Sequence, residues 1–253
     1  MMHIEINGTA ATADALRMPA LNSYGHFTAM QVRDGKVRGL DLHLGRLDAS
    51  TRELFGRGLD GARVREHIRH ALAAAGVHDA SVRVYVYRPD SDEPATLMVT
   101  VRPPQSMAQE PKRLMSVPYV RDFPHIKHLG GFGQNHFLGV ADRAGFDEAL
   151  LVAPDGLVTE GAITNIAFWD GTSLVWPDAP SLLGMTMALL EPRLPSVRRR
   201  VTLPDLPAYR AAIVTNSQGF APVGRIDEVE YAVDAELMKQ VTAAYDAVEW
   251  DLI

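Results

Sequence analysis

The sequence predicts an α/β (α+β) protein of two domains. Three features indicate this: paired strands and amphipathic helices in the first half, a proline-rich stretch without periodicity at residues 102–113, and short strands separated by tight turns in the second half. With 253 residues, of which 47% are apolar, the chain is long enough for two cores of ordinary size.

The first half begins with a hairpin signal. Residues 26–33 and 36–40 alternate on both sides of Asp34-Gly35, a dipeptide typical of two-residue turns, so we expect two paired strands there. Apolar residues at mainly helical spacing over 42–55 then predict a helix that ends at Gly56.

A second helix is predicted over residues 60–75, where the apolar side chains share one face. Strands at 81–88 and 95–101 come next, joined by a polar turn around Pro89-Asp90. The three prolines after these strands suit an extended linker. We therefore divide the chain into a domain at 1–105, a linker at 106–113 and a domain at 114–253.

The second domain has the pattern of a mainly antiparallel meander, because glycine turns at Asp155-Gly156 and Asp170-Gly171 separate short apolar runs. Its predicted strands are 114–120, 148–153, 157–160, 163–169, 173–176 and 211–215, and its predicted helices are 134–144, one opening near 183, and 234–247.

Composition excludes several classes. A net charge of −6 and a single short basic run, Arg198-Arg199-Arg200, argue against nucleic-acid binding. The absence of cysteine excludes disulfides, zinc–thiolate sites and cysteine nucleophiles. No apolar run approaches the roughly 20 residues that span a bilayer, and no signal-peptide layout is visible, so we expect no membrane partner and a cytoplasmic location.

Lys127 is the most informative of only four lysines. Its surroundings, residues 124–132, contain histidines, glycines and apolar side chains but no acidic residue. Burial lowers the pKa of a lysine and makes the neutral amine available to attack a carbonyl group. Taken alone, the same stretch also fits an ordinary loop lysine, so residues further along the chain must decide between these two interpretations.

The stretch after Lys127 resembles the signature of class IV aminotransferases, the fold type IV pyridoxal 5′-phosphate enzymes. The matching stretches, in the same order and spacing, are Lys127-His128-Leu129, residues 144–151 (AGFDEALL), residues 155–161 (DGLVTEG) and residues 165–168 (NIAF). The resemblance implies a small α/β domain, a larger pseudo-barrel domain and a homodimer. It also implies that Lys127 carries the cofactor.

Within this resemblance, Glu160 would face the pyridine nitrogen and Asn165 would belong to the part of the motif that contacts the cofactor ring. Residues 43–47 match the family pattern H-L-x-R-L, whose arginine, here Arg46, binds the phosphate. An amphipathic helix with Arg46 on its polar side is the other interpretation of that stretch.

Two further stretches resemble the family's phosphate loops. Leu183-Gly184-Met185-Thr186 is similar to L-x-G-I-T-R, which implies Met185 and Thr186 at the phosphate. Thr215-Asn216-Ser217 precedes a closing P-V-x-x-I-D phrase and implies Ser217 as a phosphate ligand, with Thr215 and Asn216 as its neighbours. Without the resemblance, both stretches are ordinary turns.

The chain departs from the family pattern at three positions, which leaves the substrate open. Thr28 lies where G-D-G-x-F-E-T is usual, Phe132 replaces a tyrosine of the branched-chain enzymes, and Met187 replaces an arginine. For the substrate we expect Arg83 or Arg88 to bind a carboxylate, with His26 and Tyr85 lining the pocket. Strand alternation puts the two arginines on opposite faces, so we do not expect both to serve.

These observations predict a pyridoxal-phosphate-dependent aminotransferase that moves an amino group between an amino acid and a 2-keto acid through a Schiff base on Lys127. Because Lys-His-Leu is closer to the aminodeoxychorismate lyases, a lyase that releases pyruvate is an alternative, as is a non-catalytic member of the fold. A metal-dependent hydrolase using His125, His128 and His136 is a weaker alternative, because no His-Glu-x-x-His pattern accompanies them.

Overall fold

A computed structural model describes residues 2–89 and 94–253. The chain forms two compact units. Unit 1 comprises Met1–Gln105, Ile126–Gly130 and Glu249–Ile253, and unit 2 comprises Ser106–His125 and Gly131–Val248. Asp90, in the predicted polar turn, lies outside the described residues. No helix in the described part of the chain is both long and apolar enough to cross a membrane.

Unit 1 is an antiparallel five-stranded sheet in the order β2-β1-β6-β5-β3, with two long helices against it. Its elements are β1 His3–Ile6, β2 Thr9–Ala10, α1 Arg17–Leu21, β3 Gly25–Val32, β4 Lys36–Arg38, α2 Leu40–Phe55, α3 Gly61–Ala75, β5 Ala80–Tyr87 and β6 Thr96–Arg102. Alternation along β5 buries Val82, Val84 and Val86 in the core with the helices, and puts Arg83 and Tyr85 on the other face.

The two predicted helices of unit 1 are confirmed. Helix α2 ends at Gly56, whose φ of 73° is the left-handed conformation that glycine adopts without strain. Helix α3 is capped by Asp60, whose carboxylate accepts a hydrogen bond from the Ala62 amide at 2.9 Å. The sequence patterns did not predict β1, β2 or α1.

The predicted hairpin is confirmed at its turn only. Asp34 and Gly35 have φ values of 50° and 67°, and the backbones of Arg33 and Lys36 exchange two hydrogen bonds of 2.9 Å. Beyond this bridge the strands separate, because β3 pairs with β5 while β4 pairs with a strand at the end of the described chain, β16 Trp250–Leu252. The predicted strand at 36–40 is shortened because α2 begins at Leu40.

The segment that carries Lys127 belongs to unit 1, whereas the sequence had placed it in the second domain. The Phe27 amide donates to the Lys127 carbonyl and the Leu129 amide to the Gly25 carbonyl, both at 2.9 Å. These bonds satisfy backbone groups of the segment through β3, which explains why Ile126–Gly130 is part of the first unit rather than of the domain predicted at 114–253.

Unit 2 is built around one curled nine-stranded sheet in the order β12-β11-β10-β13-β14-β7-β8-β9, with β15 beside β14, and β9 comes close to β10 and β11. Its strands are β7 Lys112–Pro118, β8 Glu148–Val152, β9 Val158–Gly161, β10 Asn165–Trp169, β11 Leu174–Pro177, β12 Ser196–Arg199, β13 Ala211–Asn216, β14 Gly219–Ile226 and β15 Val229–Glu230. Its helices are α4 Phe132–Arg143, α5 Met185–Leu190 and α6 Ala235–Asp246.

The predicted antiparallel meander is confirmed for most neighbours in this sheet, but three pairs are parallel: β7 with β8, β7 with β14, and β11 with β12. Strand β7 starts at Lys112, inside the stretch predicted as linker. Helix α4 packs on β7 and β8, and α5 packs on β13. The helices therefore lie against the sheet and leave its strand ends to carry polar side chains.

Candidate functional site

Lys127 lies on the face of the unit 1 sheet opposite α2 and α3, together with two aromatic rings and a guanidinium. Its Nζ is 4.9 Å from the centre of the Phe27 ring, which stacks on Tyr85 at a centroid distance of 5.4 Å. The Arg83 guanidinium is 5.8 Å from the same ring, and its Nη1 donates to the Tyr85 hydroxyl at 3.4 Å. The structure thus brings together Lys127 and two of the four predicted substrate residues.

The other two predicted substrate residues lie elsewhere. His26 is on the face of β3 that packs against α2 and is 1% exposed. The Thr51 hydroxyl donates to the Leu47 carbonyl at 2.7 Å, so it accepts from His26 Nε2 at 2.9 Å. Arg88 follows the end of β5, donates to the Phe55 carbonyl at 3.2 Å and stacks on that ring. Neither position supports a role in lining a pocket beside Lys127.

Arg46 is held in a buried polar cluster between α2 and β3. Its Nη2 donates to the Thr28 hydroxyl at 2.5 Å, and Thr28 Oγ1 lies 2.7 Å from His43 Nδ1. Burial lowers the pKa of His43 to about 3, and the Arg46 charge lowers it further in the same direction. The histidine is therefore neutral over the ordinary pH range.

Glu160, at the end of β9 in unit 2, is buried beside a second buried charge. Its Oε1 is 4.0 Å from Arg121 Nη1, and its Oε2 accepts from the Leu182 amide at 3.2 Å. Burial lowers the pKa of Arg121, and the Glu160 charge opposes that change. An opposite charge at this distance favours the ionised carboxylate. Sequence reasoning missed Arg121, because its partner is distant along the chain.

Asn165 holds the segment that follows Leu182. Its Nδ2 donates to the Leu182 carbonyl at 2.7 Å, and its Oδ1 would lie only 2.0 Å from a Cβ placed on Gly184. Glycine at 184 is therefore required for this close approach. Glu160 accepts from the Leu182 amide and Asn165 donates to the Leu182 carbonyl. The two predicted cofactor residues therefore fix the backbone of this segment together.

The predicted phosphate residues of unit 2 surround the junction of α5 and β13. Thr186, next to Met185 at the start of α5, donates through its hydroxyl to the Asn216 carbonyl at 2.6 Å. Asn216 accepts the Gln218 amide at 2.8 Å across the tight turn that holds Ser217. Thus Thr186 and Asn216 are brought together.

Thr215 is a polar residue that the sequence predicts only as a neighbour of the phosphate ligand Ser217. It is fully buried opposite Asn165 in the β10–β13 ladder, and its hydroxyl has no hydrogen-bond partner among residues 2–89 and 94–253. A buried hydroxyl without a partner is costly, so it indicates a place where a polar ligand is expected. The signal was visible in the sequence as the first residue of Thr215-Asn216-Ser217.

Glu148 is a second buried carboxyl in unit 2. It accepts from the Thr164 hydroxyl at 3.1 Å and from the Ala149 amide at 2.9 Å. Burial raises its pKa to about 7, although these hydrogen bonds act in the opposite direction. In the sequence it reads only as part of a core strand, so its environment could not be predicted.

The three departures from the family pattern lie in different settings. Thr28 is part of the Arg46 cluster, Met187 is buried in the core formed by α5, β11 and β13, and Phe132 is 84% exposed at the start of α4. The described residues contain no group of three His, Asp or Glu side chains placed to share a metal ion. The alternative of a metal site at His125, His128 and His136 is therefore unsupported there.

The family model for amino-transferase class IV matches residues 25–226. The chain belongs to this family. Class IV aminotransferases are enzymes that use pyridoxal phosphate, and both statements apply to this chain. No curated protein sequence matches it significantly.

Solved structures show the same fold. The fold IV transaminase CpuTA1 from Curtobacterium pusillum superposes with a TM-score of 0.84 at 22% identity, over 98% of this chain and 99% of that chain. A putative 4-amino-4-deoxychorismate lyase from Legionella pneumophila gives 0.80 at 20%, over 90% and 92%. A branched-chain aminotransferase from Thermoproteus uzoniensis, solved with norvaline, gives 0.83 at 19%, over 98% and 94%. The predicted fold type IV architecture is confirmed.

Proposed function

We propose that this class IV enzyme is an aminotransferase that moves an amino group between an amino acid and a 2-keto acid, with Lys127 as the residue that carries pyridoxal phosphate. The observation that carries the proposal is the grouping of the Lys127 amine with Phe27, Tyr85 and Arg83 on one face of β3 and β5. A lysine amine, an aromatic wall and a guanidinium are the groups that an amino-acid substrate requires.

The residues present fit the cofactor. Thr215 presents a buried hydroxyl without a partner in the described chain, and Gly184 lets the Asn165 side chain approach the start of α5 closely. Arg46, Thr215 and Thr186 would bind the phosphate, with Met185, Asn216 and Ser217 next to it. Glu160 would accept a hydrogen bond from the pyridine nitrogen, and Arg121 keeps that carboxylate ionised.

When bound, pyridoxal phosphate supplies an electron sink for the bonds at the substrate α-carbon. The chain's own contribution is to position groups and move a proton. Lys127 Nζ would take the proton from the substrate α-carbon and deliver it to the C4′ atom of the cofactor. Arg83 would hold a substrate carboxylate, and the stacked rings of Phe27 and Tyr85 would keep water from one side.

A lyase that releases pyruvate is the second candidate. It is favoured by Lys127-His128-Leu129, whose sequence is closer to the aminodeoxychorismate lyases, and a similar solved structure carries that name. The two reactions differ in their products, since only the lyase releases pyruvate without an acceptor keto acid.

A homodimer and a cytoplasmic location complete the proposal. Both rest on the resemblance to the family and on the sequence expectations, rather than on a contact in this chain. Light scattering of the purified protein at micromolar concentration tests the first, and a mass of one chain would contradict it.

Borohydride labelling tests the role of Lys127. The protein is incubated with pyridoxal phosphate, reduced and digested, and we expect the modified peptide to contain Lys127 and not Lys36, Lys112 or Lys239. Lys127→Ala should abolish both the label and turnover, whereas Lys112→Ala should change neither. Label elsewhere would refute the assignment. Product analysis with and without an acceptor keto acid then separates the aminotransferase from the lyase.

A further inference from the structure

We infer that Thr28 and His43 are positioning residues that fix the Arg46 side chain for binding the cofactor phosphate. The inference rests on the proposed phosphate role of Arg46. It concerns two side chains to which the family match gives no role, one of them at a position where this chain departs from the family pattern.

The hydrogen bond between Arg46 and Thr28 has one possible direction. A guanidinium has only donors, so the Thr28 oxygen accepts from Arg46 at 2.5 Å. The hydroxyl then has its own proton to give, and His43 Nδ1 lies 2.7 Å away. In the arrangement we infer, His43 accepts that proton at Nδ1 and carries its own proton on Nε2.

Burial keeps His43 in the form that this direction needs. The ring is 3% exposed and its pKa is lowered to about 3, so the neutral form, the only one that can accept at Nδ1, is present over the ordinary pH range. A protonated ring would have a donor at each nitrogen and would compete with the Thr28 hydroxyl proton. The neutral ring instead completes the chain of bonds.

Fixing Arg46 in this way restricts its rotamers without cancelling its charge. A free arginine side chain loses rotamer entropy when it is immobilised on a ligand. Thr28 and His43 remove part of that loss before the ligand arrives, and neither carries a negative charge that would compensate the guanidinium. One bond to Thr28 is compatible with bidentate binding, because the guanidinium has five N–H donors.

This accounts for one departure from the family pattern. In G-x-F-E-T read onto residues 25–29, Thr28 occupies the position of the glutamate. A carboxylate there would compensate the Arg46 charge, whereas a hydroxyl passes the hydrogen bond on to a neutral histidine. The chain therefore orients the same arginine with a neutral pair.

A purely structural role for the cluster makes a different prediction. Comparing a ligand that has the phosphate group with one that lacks it distinguishes the structural role from the positioning role. Pyridoxal has the ring and aldehyde of pyridoxal phosphate but no phosphate. The affinity of the protein for each of the two ligands is measured by absorbance titration. Loss of a positioning residue weakens only the phosphate-bearing ligand. Loss of a structural residue weakens both.

The test compares Thr28→Val with three other variants. We expect Thr28→Val to weaken pyridoxal phosphate about tenfold and pyridoxal less than twofold, and Thr28→Ser to restore the wild-type values. Thr51→Val removes an equally buried hydroxyl that bonds His26 and the Leu47 carbonyl instead of Arg46, and should not discriminate between the ligands. Arg46→Gln is the reference for complete loss of phosphate discrimination.

Each result has one meaning. Equal weakening of both ligands by Thr28→Val, or weakening of neither while Arg46→Gln still discriminates, overturns the inference and leaves the proposed function intact. An Arg46→Gln variant that does not discriminate removes the proposed phosphate role instead. If Thr28→Val does not fold, nitrogen-15 NMR of the wild type decides: an unprotonated His43 Nδ1 supports the inference, and a protonated one overturns it.

Discussion

Unit 1 buries two histidines and unit 2 buries Glu148, and burial moves the pKa values of the histidines and of the carboxyl in opposite directions. In unit 1 burial lowers the pKa of His26 to about 4 and that of His43 to about 3, and the Arg46 charge adds to the effect. In unit 2 burial raises the pKa of Glu148 to about 7. The cause is the same, since a poorly solvated environment favours whichever form is uncharged.

This difference predicts opposite responses to pH. Unfolded histidine takes up a proton below about pH 6.5, and the two folded histidines do not. Their contribution to the free energy of unfolding is therefore present above that pH and lost as the pH falls towards 4. Unfolded glutamate loses its proton near 4.5 and folded Glu148 near 7. Its contribution is therefore present below 4.5 and lost as the pH rises through 7. Acid weakens unit 1 and alkali weakens unit 2.

The largest effect on stability should come from removing a cation beside Glu160, which makes its surroundings more like those of Glu148. Arg121→Met removes a cation 4.0 Å from the buried Glu160 carboxylate, which we expect to cost about 3–5 kcal/mol in the free energy of unfolding measured with urea. The control is Arg113→Met, which breaks the more exposed pair with Asp147 and should cost less than about 1 kcal/mol. Equal losses would show that Arg121 does not compensate a buried charge.

Glu148→Gln should remove the alkaline weakness of unit 2. The change in pKa from 4.5 to about 7 corresponds to about 3 kcal/mol, so the variant should gain that much relative to the wild type between pH 4.5 and pH 8. Urea unfolding at both pH values measures the difference. A constant difference would mean that Glu148 titrates normally in the folded protein.

His26→Gln should reduce the acid weakness of unit 1. A histidine with a folded pKa near 4 lowers the free energy of unfolding by roughly 2 kcal/mol between pH 6.5 and pH 5. Glutamine does not titrate, so the variant should not show this loss. Hydrogen exchange of the α2 amides, corrected for the intrinsic rate at each pH, reports the change in this unit. An identical pH response in the variant would refute the assignment to His26.

The smallest effect concerns the hydroxyl that supports Glu148. Thr164→Val removes a donor 3.1 Å from the carboxyl, which should cost about 1.5 kcal/mol at pH 8, where the group is charged, and less at pH 5. Thr172→Val, on an exposed turn, is the comparison. A larger cost at pH 5 would contradict a role in stabilising the charged form.

The local features of the fold were predictable, because they depend on residues that are adjacent in the sequence. Gly56 ends α2, Asp60 caps α3, and Asp34-Gly35 makes its turn as the sequence indicated. The pairing of β4 with β16 was not predictable, since those strands are about 200 residues apart and no local pattern relates them.

The site shows the same division. Lys127 was predicted from a motif, and Arg83 and Tyr85 from the resemblance to the family, and the structure groups them. His26 was misplaced because its face is set by the register of β3 against β5, which the sequence does not reveal. Arg121 was missed because its role depends on a carboxylate from another strand.

The assignment of Ile126–Gly130 to unit 1 limits how this protein can be recombined with relatives. A chimaera joined at residue 105 would take β3 from one parent and the lysine segment from the other, and the bonds between Phe27 and Lys127 and between Leu129 and Gly25 would have to form between foreign partners. Grafting the lysine segment together with the first 105 residues takes both partners of each of these hydrogen bonds from the same parent. Exchange of function between such enzymes therefore requires three junctions rather than one.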